Sequence, residues 1–142
     1  LTRSGESVTR FFSPKVYLEK EFIGYNLNVI GSDQSHVFIR KGVIGSWEHF
    51  GRFSFNPDAF EIGSRIIRQS VKEDFLLIDE LGPLEYEGKG FMPALQERMQ
   101  SQRGTLIAVI RETLAEDFND SVFENRGIIY LPEKWDELVN RI

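Results

Sequence analysis

The 142-residue sequence contains no cysteine and only two histidines, His36 and His49, which lie apart in the chain. The lack of cysteine excludes disulfides, thiol catalysis and zinc sites built on sulfur, and it is compatible with a reducing cytosol. The two histidines show no metal-ligand spacing. We therefore expect a cytoplasmic protein that has neither thiol chemistry nor a zinc centre.

Long apolar runs and a surplus of positive charge are also missing. No apolar stretch approaches the roughly 20 residues of a membrane span, and no signal peptide is visible, so we expect no membrane partner. The net charge is −5, whereas nucleic-acid binders usually present a basic face, which disfavours a nucleic-acid partner. Hydrophobic residues make up 41% of the chain, enough for the core of one domain over residues 1–142.

Apolar segments alternate along the chain with amphipathic ones. Phe22–Ile30 and His36–Arg40 flank a turn cluster and predict an antiparallel hairpin, whereas residues 1–21 predict a loop with at most a short strand. Phe75–Ile78 and Thr105–Ile110 are uninterrupted apolar runs, typical of parallel strands buried on both faces. Further predicted elements are a short strand in Phe50–Phe55, helices over 56–71, 91–102 and 113–118, a strand at Gly127–Leu131 and a helix from Pro132.

This alternation predicts an α/β fold of three layers, with a mostly parallel sheet and the hairpin as its antiparallel extension. In open α/β sheets, ligands bind beyond the carboxyl ends of the strands, where Asp79 and Glu80 follow the run FLLI. The first carboxylate can hold Mg²⁺, and the second can orient or deprotonate a water that attacks a nucleotide. On this feature alone, a solvated acidic strand end is the alternative.

The segment Leu76–Glu85, LLIDELGPLE, resembles the Walker B segment of a family of small P-loop nucleoside triphosphatases, the thermophilic nucleoside triphosphate phosphohydrolases and their relatives. Gly24–Leu27 is similar to the family's Gly-aromatic hairpin strand, and Gly51–Phe53 to its Gly-basic-aromatic segment. Downstream, Phe91–Met99 and Thr105–Arg111 are similar to the next helix and strand. The resemblance covers most of residues 13–142.

The resemblance implies Mg²⁺-dependent hydrolysis of ATP, GTP and related nucleotides to the diphosphate, with loose base preference. By position, Asp79 is the Mg²⁺ residue and Glu80 the catalytic carboxylate. Arg111 is placed to face the γ-phosphate, with a solvated strand end as an equal alternative. Glu85 closes the motif without an implied role, and Pro83 stands where many members carry lysine.

The phosphate-binding loop of such enzymes, Gly-x-x-x-x-Gly-Lys-[Ser/Thr], does not occur in the 142 residues. Gly82–Gly90 (GPLEYEGKG) is a near miss with the wrong spacing and no hydroxyl residue, and its Glu85 and Glu87 would repel phosphate. In the family this loop precedes the segment where the sequence begins. We therefore expect an N-terminally incomplete P-loop NTPase-like domain, with the loop upstream of Leu1.

Two other functions remain open from the sequence. The chain is alternatively a catalytically inactive nucleotide-binding or regulatory module, or a nucleotide or nucleoside kinase of related architecture. The adjacency of Asp79 and Glu80 favours water activation over transfer to an acceptor. The aromatic residues Phe50, Phe53 and Phe55 near Arg52 can stack on single-stranded nucleic acid, although core packing is the preferred interpretation. The preferred base, the physiological substrate and the oligomeric state are not predicted.

Overall fold

A computed structural model describes residues 5–101 and 103–121 of the chain. The strands are β1 Val8–Phe12, β2 Lys15–Leu18, β3 Glu21–Val29, β4 Ser35–Lys41, β5 Glu48–Phe50, β6 Phe53–Phe55, β7 Phe75–Leu81 and β8 Thr105–Ile110. The helices are α1 Pro57–Gln69, α2 Pro83–Tyr86, α3 Met92–Gln100 and α4 Glu112–Ser121, with a 3₁₀ turn at Ser70–Lys72. The strand predicted at Gly127–Leu131 and the helix predicted from Pro132 lie outside the described residues. None of the helices in the described part has the length and apolar character needed to cross a bilayer.

These strands form one mixed sheet in the order β5-β6-β4-β3-β1-β7-β8, with β2 paired to β3. Strand β7 pairs in parallel with β1 on one side and with β8 on the other, and the remaining pairings are antiparallel. The predicted α/β class and the antiparallel extension are confirmed. That extension is larger than a single hairpin, because β2, β5 and β6 add to the predicted pair β3 and β4.

Strand β1 lies in the middle of the sheet, where the sequence predicts a loop with at most a short strand. Only Phe11 among its five residues, VTRFF, is fully buried, so the strand lacks the continuous apolar run that marks a central strand in the sequence. A polar clamp fixes its start beside β7: Asp74 Oδ2 accepts hydrogen bonds from Ser7 N at 2.8 Å and Ser7 Oγ at 3.1 Å, and Asp74 N donates to Ser7 Oγ at 3.1 Å. The pairing then runs in register to Phe12 opposite Asp79.

Helix α1 begins at the predicted residue. The Asn56 side chain accepts a hydrogen bond from Asp58 N at 3.0 Å, and Pro57 occupies the first helical position, where it has no hydrogen bond to lose. Such a cap contributes about 1 kcal/mol. The buried face of the helix includes Gly63 and Ile67 and packs against α3.

The core lies between these two helices and one face of the parallel strands. Leu76 and Ile78 of β7 are completely buried there, and the Phe91 ring contacts Phe11 with ring centroids 5.2 Å apart. On the opposite face of the strands, Leu77 is only half-buried and Ile107 is 42% exposed. Within the described residues, the predicted burial on both faces is therefore found on one face only.

Gly63 marks the tightest contact between α1 and the core. A Cβ at this position would overlap Cε1 of Phe91 and lie 2.9 Å from its Cζ. Helix propensity alone would make alanine more stable than glycine by about 1 kcal/mol, so the sign of the effect tests the packing. We expect Gly63→Ala to lower the free energy of unfolding by about 1–3 kcal/mol in urea denaturation. Glu61→Ala, at an exposed position of the same helix, is the control, and a stabilised Gly63→Ala protein would contradict this contact.

Candidate active site

A cleft of about 290 Å³ opens where the carboxyl ends of β1, β7 and β8 meet. Each of these strands places a polar residue in it: Ser13 follows β1, Asp79 and Glu80 belong to the end of β7, and Arg111 follows β8. The opposite wall comes from the antiparallel part of the sheet. This is the edge where open α/β sheets bind ligands, as the sequence predicts.

Asp79 and Glu80 lie within the last paired residues of β7 and not beyond the end of the strand. Asp79 is in register with Val109 of β8, whereas the pairing shifts before Leu81, which leaves Glu80 without an opposite residue. Asp79 is half-buried and Glu80 is exposed. The irregularity thus keeps two neighbouring carboxylates on the same cleft, one sheltered and one open to water.

The environment of Asp79 destabilises its charged form. Burial raises the pKa of its carboxyl group, and the adjacent negative charge of Glu80 raises it further. Because Mg²⁺ normally binds through one or two carboxylates together with substrate phosphates, this donor set fits that ion. The described residues contain no group of three or more side chains that could hold a metal by themselves.

Arg111 contacts Glu80 directly. Its Nε and Nη2 atoms each lie 3.1 Å from Glu80 Oε1. The pair is open to solvent, with side chains 54% and 41% exposed, so it contributes at most about 1 kcal/mol. Because the pair is weak, Arg111 can leave Glu80 for a more strongly binding anion with little loss of free energy.

Glu85 holds together the loop that follows the acidic pair. Its side chain is only 5% exposed and accepts hydrogen bonds from Gly82 N at 3.0 Å and Phe91 N at 3.1 Å. Gly90, with a φ of +57°, passes so close that a Cβ there would overlap Glu85 Oε1. Burial raises the pKa of Glu85 despite these two bonds, which act in the opposite direction. The carboxylate therefore has a structural function that the sequence alone does not reveal.

The far wall carries a second arginine among aromatic rings. Gly51 and Arg52 form the two-residue turn between β5 and β6, and Gly51 supplies the positive φ, +61°, that type II′ turns need at their first position. Arg52 and Tyr25 line the cleft, as does Ser13. Sequence reasoning assigned none of these three to the site. The available signal was the glycine-arginine pair between two phenylalanines, which is a hairpin pattern.

The NTPase family model matches residues 1–142. The chain belongs to the NTPase family. The chain is similar to a nucleoside-triphosphatase THEP1 of Hyperthermus butylicus, with 27% identity over 99% of this chain and 80% of that protein. The protein of the same name from Methanothermobacter thermautotrophicus is 28% identical over 97% of this chain and 78% of its own length. That of Methanosarcina acetivorans is 32% identical over 54% of this chain and 46% of its own length. No solved structure matches this NTPase-family chain significantly.

Membership of this NTPase family confirms the family that the sequence resembles and the predicted enzyme class, a nucleoside-triphosphate hydrolase. The structure places Asp79, Glu80 and Arg111 in one cleft, together with Glu85. The roles of these residues, the cofactor, the nucleotide and the cytoplasmic location stay predictions.

The contribution of Glu85 to stability can be measured directly. Replacing it by alanine leaves the N–H groups of Gly82 and Phe91 without their acceptor, and each buried unsatisfied donor costs about 1–3 kcal/mol. We expect Glu85→Ala to lower the free energy of unfolding by about 2–4 kcal/mol in urea denaturation. Glu87→Ala, on the exposed side of the same loop, should change it by less than about 0.5 kcal/mol. Equal losses in the two variants would contradict a specific role for Glu85.

The raised pKa of Asp79 gives a dependence of stability on pH. A carboxyl group whose pKa is higher in the folded state stabilises the fold at low pH, and this contribution is lost as pH rises through the folded pKa. In metal-free protein, Asp79→Asn should therefore be more stable than the parent at pH 7, by about 0.5 kcal/mol at most because solvent screens the half-buried group. The difference should vanish below about pH 3.5, under the ordinary carboxyl value. Thermal unfolding of the parent and of Asp79→Asn across this range measures the difference, and a difference that does not change with pH would contradict the raised pKa of Asp79.

Proposed function

We propose that the protein hydrolyses nucleoside triphosphates, ATP and GTP among them, to the diphosphate and phosphate with Mg²⁺. The observation that carries the proposal is the meeting of Asp79, Glu80 and Arg111 in one cleft at the carboxyl ends of parallel strands. Membership of the NTPase family and the similarity to proteins named nucleoside-triphosphatase THEP1 support it.

Asp79 is the residue we propose to hold Mg²⁺, which when bound neutralises charge on the phosphates. Glu80, next to it and open to water, orients the attacking water molecule and accepts its proton. The water oxygen bonds to the γ-phosphorus while the bond from that phosphorus to the β–γ bridging oxygen breaks, which releases the nucleoside diphosphate. Two carboxylates in different environments thus divide cation binding from proton transfer.

Arg111 is shared, in this proposal, between Glu80 and the γ-phosphate. The guanidinium group approaches a single carboxylate oxygen with two nitrogens, and the same fork matches a phosphate. Because the ion pair is exposed and weak, an arriving phosphate can draw Arg111 from Glu80. Glu80 is then left to contact water at the moment when the substrate is in place.

Replacement of Glu80 by glutamine tests the catalytic role. We expect Glu80→Gln in the natural full-length protein to bind Mg²⁺-nucleotide as the parent does and to lose about 10²–10⁴-fold in kcat, because the amide cannot accept the proton. Phosphate release gives kcat, and equilibrium dialysis gives nucleotide affinity. Glu87→Gln is the matched control, since Glu87 lies on the following loop and pairs with Lys89 at 3.0 Å. An unchanged kcat for Glu80→Gln would remove Glu80 from the mechanism.

A further inference from the structure

The cleft has an aromatic half that hydrolysis at the carboxylates does not use. The register of the antiparallel strands builds it: Tyr25 of β3 lies opposite Ile39 of β4, and Ile39 lies opposite Phe55 of β6. At the end of the neighbouring hairpin, Phe50 and Phe53 are direct cross-strand partners. Cross-strand partners share one face of a sheet, and all five of these side chains line the cleft.

These rings pack against the core on one side and are open to the cleft on the other. Beneath them, the buried Phe38 packs edge-on against Phe55 at 6.4 Å, and Phe60 stacks on Phe55 at 5.9 Å with an interplanar angle of 20°. Tyr25 contacts Phe53 edge-on at 6.4 Å. Tyr25, Phe53 and Phe55 nevertheless remain only half-buried. The cluster is therefore packed against the core on one side and presents ring surface to the cleft on the other, so core packing accounts for only part of it.

Arg52 adds a cation to this surface. Its guanidinium carbon lies 5.1 Å from the centroid of the Phe53 ring, and the residue forms no ion pair within the described part of the chain. The short turn between β5 and β6 holds it at the rim of the cleft, across from the carboxylates. A guanidinium plane beside aromatic rings is a surface that binds flat rings with polar edges.

We propose that this aromatic half, made of Tyr25, Phe50, Phe53 and Arg52, is a subsite for a planar heterocyclic ring, such as the base of a nucleotide or nucleoside. The ring belongs to a molecule that reacts at the carboxylate half of the cleft, so the inference rests on the proposed function. The whole cleft has a volume of about 290 Å³, just below the range of roughly 300–1,000 Å³ for ligand pockets, so a ring bound in its aromatic half lies near the carboxylates.

Two sources can supply such a ring. One is the base of the triphosphate that is hydrolysed. The other is a second molecule with a hydroxyl group that accepts the phosphoryl group. In that case the acceptor oxygen bonds to the γ-phosphorus, the bond to the β–γ bridging oxygen breaks, the nucleoside diphosphate leaves, and the hydroxyl proton passes to the Glu80 carboxylate. Both sources place a flat ring over Phe53 and beside Arg52.

The test uses probes that separate the ring from the phosphates. In the natural full-length protein, binding of phosphate-free adenosine, guanosine, cytidine and uridine is measured by saturation-transfer NMR, and kcat/KM is compared for ATP, GTP and inorganic tripolyphosphate. Phe53→Leu keeps an apolar side chain but removes the ring, and Arg52→Gln removes the cation. Tyr17→Leu is the matched control, since Tyr17 is an aromatic residue 58% exposed and outside the cleft.

We expect both cleft variants to weaken nucleoside binding by roughly 5- to 150-fold, the range for one base–aromatic stacking contact, while Tyr17→Leu leaves it unchanged. If the base of the substrate is the occupant, ATP competes with the nucleoside, and kcat/KM falls for ATP or GTP but not for tripolyphosphate. If an acceptor is the occupant, the nucleoside binds together with ATP and becomes phosphorylated.

The proposal is overturned if no nucleoside binds the parent protein, or if binding is the same in Phe53→Leu, Arg52→Gln and the parent. Because nucleoside binding is read without turnover, a protein that fails to hydrolyse triphosphates but binds nucleosides at Phe53 would contradict the proposed function and retain this subsite. A protein that hydrolyses triphosphates but binds no nucleoside would contradict this subsite and retain the proposed function.

Discussion

The parallel pairing of β7 between β1 and β8 is the constraint on which the site depends. It brings the carboxyl ends of three strands to one edge, so that Ser13, Asp79 and Arg111 meet although they are far apart in the chain. Two kinds of interaction hold this pairing. Leu76 and Ile78 bury their side chains completely, which stabilises the fold by about 2–3 kcal/mol each, and the Ser7–Asp74 clamp aligns the start of β1 with that of β7.

The three carboxylates at this edge differ in burial and in their partners. Asp79 is half-buried, and Glu80 is exposed and paired with Arg111. Glu85 is buried and accepts hydrogen bonds from backbone N–H groups. Burial and the negative charge of Glu80 raise the pKa values of Asp79 and Glu85. Under the proposed function, this cluster repels a bare triphosphate and accepts one that arrives with a divalent cation.

The antiparallel half of the sheet serves the site as its second wall. A parallel three-stranded core would leave the acidic edge open to solvent, whereas β3, β4 and the β5–β6 hairpin fold aromatic rings over it. A two-residue turn is short enough to fix Arg52 at the rim, because both flanking residues, Phe50 and Phe53, are held in the ladder. This wall gives the cleft an apolar half with ring surfaces, and thus chemistry beyond that of the carboxylates.

The sequence by itself determined the elements whose signals are local. Asn56 and Pro57 start a helix, FLLI and TLIAVI form strands, and the acidic pair lies at a strand end, because capping geometry and apolar run length are properties of neighbouring residues. Membership of the NTPase family was readable from the segment around Asp79 for the same reason.

Only the tertiary structure decided what depends on distant partners. Strand β1 has a weak pattern of its own, and its central place follows from pairing with β7 about 67 residues later. The ion pair between Glu80 and Arg111 and the meeting of Tyr25 with Phe53 both join segments whose separation no periodicity encodes. Side-chain chemistry can be read along the chain, but which groups share a cleft is set by the order and register of the strands.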